Sequence, residues 1–408
     1  VIREKSRPTR RIESRALNLV YQRDTLSESA EPILLSHDSH LEIAMEFPPR
    51  LSPESADTAT RTSARETPAA LGYRWPAEWE PHAATWLSWP HNRNSWPDAF
   101  EPVPGIFARF VKTLARFEQV HVLAGGAAVR AEAESLVGGT PNVTLHDIPT
   151  NDAWCRDHGP TFLAAPPGAP PALIDWQYNA WGGKYPPFHH DNAVPEKIAA
   201  LQGRRRFDPG IILEGGAIDG NGRGTILTTE QCLLNPNRNP HLGRADMERY
   251  LAEYLGARKV IWLTGGDMAG DDTDGHIDQL ARFVDPRTVV VAWEDNPEDE
   301  NYEPLQRNFW ELQSHSDQDG QPLRVIPLPM PSPLLHDGDS EQRMPGSYCN
   351  FHIANGVVIV PQFDDPHDRV AREILARLFP DREIIGLPAF DLVWGLGAYH
   401  CLSQQEPA

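Results

Sequence analysis

The chain has 408 residues, 40% of them hydrophobic, enough to bury a core in two average domains or in one large domain of repeats. Its formal net charge of −20 disfavours nucleic acid and anionic membrane as partners and suits a small cation. No run of about eighteen apolar residues marks a transmembrane helix, the start of the chain lacks the apolar stretch of a secretory signal, and the four cysteines, Cys155, Cys232, Cys349 and Cys401, form no CxxC pair, so free thiols in a reducing cytoplasm are expected.

Residues 1–70 are basic at first and then rich in Ser, Thr, Ala and Pro, as in LSPESADTATRTSARETPAA. Such a stretch buries too little apolar surface to offset its ordering entropy, so a disordered leader is expected. The first methionine is Met45, and residues 1–44 are expected to be a dispensable upstream extension. Residues 71–408 are expected to form the catalytic domain. GIFARFVKTLARFE (105–118) places Ile106, Phe110, Leu114 and Phe117 on one helical face. VHVLAG (120–125), NVTLHDI (142–148), ALIDWQYN (172–179) and GIILE (210–214) are expected strands. RADMERYLAEYLG (244–256) is an expected helix stopped by Gly256. KVIWL (259–263), TVVVAW (288–293), LRVIPL (323–328), GVVIVP (356–361) and EIIGL (383–387) are further strands, with helices over 302–313 and 365–379. This alternation places the chain in the α/β class. No GxxxxGK[ST] or GxGxxG loop opens a helix, which disfavours nucleotide binding.

Four islands are polar and aromatic where a plain core would be apolar. NDAWCRDHGP (151–160) reads either as a solvated turn or as a cleft in which Asp157 meets a planar cation beside the apolar wall of Trp154. ILEGGAID (212–219) delivers Glu214 into a glycine pair, either as an exposed turn or as a carboxylate that orients a histidine. In GGDMAGDDTDGHIDQLARF (265–283), aspartates crowd His276. A divalent metal site, a proton-shuttling His276 with Asp278 as substrate carboxylate, and an acidic loop all fit. The segment is expected to be extended, with His276 and Asp278 on one face. LVWGLGAYHCLSQQEP (392–407) sets Cys401 after an imidazole and a glycine turn. A lone buried Cys is commonly inert, but this environment suits a reactive thiolate. A thiol, an imidazole and three carboxylates together suit attack on a guanidinium. Carboxylates grip its nitrogens, the thiolate adds to its carbon, and an imidazolium protonates the departing ammonia.

These islands resemble the agmatine deiminases of the guanidino-group-modifying, peptidylarginine deiminase-like superfamily. The likeness runs from about Tyr73 to Ala408 and adds RWPAEWEPHAATWLSWPHN (74–92), YNAWGGKY (178–185), TTEQCLLNPNRNP (228–240), DENYEPLQ (299–306) and YCNFHIANGVVIVP (348–361). The resemblance implies a five-fold pseudo-symmetric α/β propeller. It implies Cys401 as nucleophile, His276 as proton donor and then base, Asp157 and Asp278 as guanidinium ligands, and Glu214 as hydrogen-bond partner of His276. Trp154 and Trp181 are implied to bind substrate. It implies no metal or organic cofactor, a small cationic guanidino substrate, and a homo-oligomer. Agmatine is the expected substrate. Peptidyl or free arginine, and a non-catalytic polyamine-binding role, are the alternatives. Two departures stand out: family members commonly carry GGGNIHC before the nucleophile, whereas this chain has GLGAYHC, with Leu396 for a glycine and Ala398 for an asparagine. A polar contact to the thiol is therefore expected to be missing. Cys155 and Cys349 also depart from the usual residues and are expected to be passive.

Overall fold

The structure is a computed structural model and describes residues 66–335 and 342–408. The leader expected over residues 1–70 lies outside the described residues as far as 65. Beyond it, Glu66 pairs with Arg205 at 2.7 Å and a 3-10 turn spans Ala69–Leu71, closed by Gly72 at φ 82°.

Eighteen strands are described. In chain order they are β1 (His82–Ser88), β2 (Gln119–Leu123), β3 (Val143–His146), β4 (Thr161–Leu163), β5 (Ala172–Ile174), β6 (Arg205–Phe207), β7 (Asp219–Gly220), β8 (Thr225–Thr229) and β9 (Lys259–Leu263). Then follow β10 (Ala281–Phe283), β11 (Thr288–Trp293), β12 (Arg324–Pro329), β13 (Leu334–Leu335), β14 (Arg343–Met344), β15 (His352–Ala354), β16 (Val357–Gln362), β17 (Glu383–Pro388) and β18 (Ser403–Pro407). Apart from the β13–β14 ribbon, each sheet repeats one plan. Its first strand runs antiparallel to the second, and the second runs parallel to the third, as in β4-β5-β6, β7-β8-β9, β10-β11-β12 and β15-β16-β17. The remaining sheet, β18-β1-β2-β3, takes its antiparallel strand from the far end of the chain.

Parallel neighbours need a long crossover, and a helix supplies it each time: Val103–Leu114, Ala127–Val137, Val194–Gln202, Arg244–Leu255, Tyr302–Ser314 and His367–Leu378. The repeat is therefore strand, strand, helix, strand. The polar islands fall at one point in it, the segment leading into the antiparallel first strand. Asp157 precedes β4, Glu214 precedes β7, Asp278 precedes β10, Asn350 precedes β15 and Cys401 precedes β18.

Three expectations change. The helix over 105–118 starts at Val103 and ends at Leu114, and its buried face is Val103, Phe107, Phe110, Val111 and Leu114. Ile106 and Phe117 are only partly covered. Residues 210–214 form no strand. Ile212 makes an isolated bridge to Gln177, and the Asn239 side chain satisfies its backbone on the other side, accepting from the N–H at 3.0 Å and donating to the carbonyl at 2.8 Å. The segment at His276 is not extended either. His276 ends a loop, Ile277–Leu280 forms a helical turn, and only Ala281–Phe283 is strand.

Candidate active site

The turn before Cys401 is a close fit of backbone against rings. A Cβ on Gly395 would lie 2.6 Å from the Trp96 ring, and one on Gly397 would lie 2.6 Å from Trp154 and 3.0 Å from the Cys401 Cβ. Leu396 between them adopts φ 72°, the left-handed conformation that favours glycine. The polar contact expected to be missing is supplied from another segment. Asn350 donates from Nδ2 to the Cys401 sulfur at 3.0 Å, while its Oδ1 accepts from the N–H groups of Ala398 and Cys401 at 3.1 and 3.2 Å. One side chain thus shapes the turn and touches the thiol.

Asp278 Oδ2 lies 3.4 Å from the Cys401 sulfur and 2.7 Å from His400 Nδ1. The other nitrogen of His400 meets Glu78 Oε2 at 3.0 Å. Glu78 in turn pairs with Arg282, which also pairs with Asp219 at 2.6 Å. All of these groups are buried. Asp278 Oδ1 has no hydrogen-bond partner, so one oxygen of this buried carboxylate is anchored and the other is left unpaired.

Asp157 sits on the turn Cys155–His158, whose Arg156 N–H donates to the Cys401 carbonyl at 3.1 Å and so ties the two islands together. Its Oδ1 accepts from the Gly216 N–H at 2.8 Å and its Oδ2 from Trp181 Nε1 at 3.0 Å. Trp181 is held at φ 54°, a strained placement that aims its N–H at the carboxylate. Trp154 stacks on Trp96 with ring centroids 5.3 Å apart and forms a wall. A Cβ on Gly216 would meet His276 Nδ1 at 2.6 Å, Asp157 Oδ1 at 2.8 Å and Asp278 Oδ2 at 3.1 Å. The missing side chain at Gly216 is what lets these three groups converge.

His276 Nδ1 lies 3.7 Å from Asp157 Oδ1, and neither ring nitrogen has a hydrogen-bond partner. The expected hydrogen bond from Glu214 to His276 is not made. Glu214 Oε1 binds Arg238 Nε at 2.6 Å and Oε2 is left without a partner. Glu214 still faces the imidazole, together with Cys232, the ligand atoms of all three lying within 4.8 Å of one another. Cys232 carried no role in the sequence reading.

The aspartates around His276 diverge rather than converge on a metal. Asp271 accepts from Thr273 Oγ1 and the Gly275 N–H and shapes the loop. Asp274 pairs with Arg238, and Asp272 bonds Tyr185 at the mouth. Asp278 alone turns to the thiol. The three residues Glu214, Cys232 and His276 are the one group of metal-type donors found among the described residues.

Cys401 and Asp157 line a cavity of about 240 Å³ together with Asp152, Trp154, Trp181, Tyr185, Asp272 and Trp394, while Asp278, His276 and Glu214 stand behind its wall. No lysine or arginine lines it among the described residues. Burial, with the charges of Asp278 and Asp157, pushes the Cys401 thiol well above its ordinary pKa, against the pull of Asn350. Burial also raises Asp157, helped by Asp278 and Glu214 and opposed by His276. For Asp278 burial acts upward, but the His400 hydrogen bond and the nearby cations outweigh it and hold the carboxyl low. Burial acts downward on His276, and Asp157, Cys232 and Glu214 outweigh it, so the imidazole is raised well above its usual value.

Comparison with known proteins supplies the family. The family model of the Porphyromonas-type peptidyl-arginine deiminases matches residues 74–407. An agmatine deiminase of Pseudomonas aeruginosa (strain LESB58) is 41% identical over 362 residues, 84% of this chain and 97% of that one. Among solved structures, the agmatine deiminase of Enterococcus faecalis superposes with TM-score 0.79 at 33% identity, over 84% of this chain and 98% of that one. The substrate-bound agmatine deiminase of C. jejuni gives TM-score 0.75 at 33% identity, over 82% and 96%. The mixed α/β fold is common to them, and the chain belongs to the Porphyromonas-type peptidyl-arginine deiminase family.

Proposed function

We propose that the chain hydrolyses agmatine to N-carbamoylputrescine and ammonia through a covalent intermediate on Cys401, in a catalytic domain spanning residues 71–408 whose five repeated units form a propeller around the cavity. The pairing of β18 with β1, which joins the two ends of the described chain, supports the circular arrangement. The observation that carries the function is the meeting of the Cys401 sulfur with Asp278 at 3.4 Å, where that sulfur and Asp157 line an acidic cavity.

A guanidinium between Asp157 and Asp278 pairs its nitrogens with the two carboxylates and sets its carbon before the sulfur. Its positive charge offsets the two anions that keep the thiol protonated, so binding favours the thiolate and the thiol proton passes to water. The thiolate adds to the carbon, the carbon–nitrogen bond breaks, and His276 gives its proton to the departing ammonia. Neutral His276 then takes a proton from water, hydroxide adds to the thiouronium carbon, and the carbon–sulfur bond breaks to free the urea product and the thiol. Trp154 and Trp181 flank the alkyl chain. Asp152 and Asp272 in the wall suit the distal ammonium of agmatine, whereas the carboxylate of free arginine meets no cation among the described lining residues.

Ammonia release from agmatine, free arginine and arginyl peptides tests the substrate. Agmatine is expected to turn over fastest, and a preference for arginyl peptides, the substrate class in the family's description, contradicts the assignment. A chelator in the assay is expected to leave the rate unchanged; loss of turnover indicates metal-assisted hydrolysis instead.

A further inference from the structure

The mechanism leaves three buried thiols unused, Cys155, Cys232 and Cys349, and one of them stands beside the proton carrier. Cys232 lies in the helical turn Glu230–Leu233, next to the His276 imidazole and the Glu214 carboxylate, and all three are at most 1% exposed. Both nitrogens of His276 and the Oε2 of Glu214 lack hydrogen-bond partners. A buried polar atom without a partner is costly and calls for an explanation. With the thiol, one imidazole nitrogen and one carboxylate oxygen form a preassembled set of sulfur, nitrogen and oxygen donors within 4.8 Å of one another.

We propose that Glu214, Cys232 and His276 form an inhibitory site for a thiophilic divalent cation, zinc(II) above all. Thiolate, imidazole and carboxylate are the donors zinc takes, and three protein ligands with an open fourth position are a common arrangement. The donor atoms lie within 4.8 Å of one another, and tetrahedral zinc needs them about 3.5 Å apart, so a small rotation of side chains closes the set. Asp157 Oδ1, 3.7 Å from His276 Nδ1, or a water completes it.

The charge balance favours the ion. Arg238, the adjacent cation, is already paired with Glu214 Oε1 and Asp274, while Glu214, Asp157 and Asp278 surround the imidazole. On binding, the S–H bond of Cys232 breaks and a sulfur–zinc bond forms. The thiol proton passes to water, as does the second imidazole proton when His276 carries one. No oxidant or reductant takes part. The route in is the cavity that admits a cationic substrate, because Asp157 lines it and stands beside His276. Zinc then occupies the lone pair that carries the proton, and turnover stops. Metal binding at these residues is independent of the substrate assignment; the inhibition rests on His276 as proton carrier.

Cadmium(II) titration of the full reduced chain tests this through the ultraviolet thiolate-to-cadmium band, with zinc(II) as competitor and turnover followed in parallel. The wild type and Cys401→Ser are expected to show the band at one equivalent. Cys232→Ser and, as a second variant that keeps side-chain volume, Glu214→Gln are expected to bind zinc at least about tenfold more weakly. A band that survives in Cys232→Ser and vanishes in Cys401→Ser places the ion on the nucleophile and overturns the proposal. So does an unchanged zinc affinity in Glu214→Gln, or the absence of any band in the wild type. If the band follows Cys232 but agmatine is not turned over, the metal site stands and the substrate assignment fails.

Discussion

On one side of the site, Asp278 is locked in place: His400 holds one oxygen, Glu78 holds His400, and Arg282 holds Glu78. On the other side, the His276 ring has no carboxylate anchored to it by a hydrogen bond and rests against Glu214, Cys232 and Asp157. The contrast fits the roles proposed for the two sides. A group that grips a planar cation must keep one geometry, and a chain of charge-assisted hydrogen bonds gives it that at the cost of mobility. A group that gives up a proton and then takes one back needs free nitrogens, so its surroundings act through charge rather than contact. The electrostatics divide in the same way: Asp278 is held low and His276 high.

The comparison can be broken at four points. Replacing the shared target of both sides, Cys401→Ser, is expected to reduce turnover by about 10⁴-fold or more, since a hydroxyl is a far weaker nucleophile than a thiolate. Ammonia release measures it, and thermal melting checks that the fold persists. His400→Asn on the locked side is expected to lower kcat by about 10²-fold, because Asp278 loses its anchor and the substrate its alignment. The pH profile should keep its shape, and a shifted profile would mean that His400 carries a proton in the reaction rather than holding Asp278.

On the electrostatic side, Glu214→Gln removes an anion that raises the His276 pKa. The proposed mechanism needs His276 protonated for ammonia departure, so the alkaline limb of the kcat profile is expected to move to lower pH by about one unit. A limb that stays put contradicts a charge role for Glu214. The smallest effect belongs to Cys349→Ala. This thiol is fully buried and burial pushes it up to about 12. Turnover should hold, with stability lower by about 1 kcal/mol in a denaturant titration.

The parts of this site that could be read from the sequence are those with concentrated local chemistry. Asp157, Glu214, His276, Asp278 and Cys401 each sit in a short run of polar residues and glycines, and four of the five repeats announce themselves that way. The groups that were missed work over long separations. Glu78 lies in RWPAEWEPH and meets His400 more than three hundred residues later, and Asn350 sits between Cys349 and Phe351 in a stretch that reads as plain core. No periodicity links a side chain to a partner so far along the chain. Local geometry also misled at two places. Four residues after His276 are too few to separate a helical turn from a strand. The apolar run at 210–214 is held by a single bridge to Gln177 and by the Asn239 side chain instead of a full ladder. Leu396 shows the opposite case: a left-handed position that glycine usually fills holds a leucine here, and the turn still closes because Gly395, Gly397 and Asn350 make its close contacts.

The most direct test of the account is mass spectrometry of the enzyme quenched in acid during turnover of agmatine. The account predicts that the peptide carrying Cys401 gains the mass of the substrate less ammonia, and that the gain disappears in Cys401→Ser. Rapid ammonia release with the Cys401 peptide never modified, or an adduct on Cys232 in its place, would contradict it.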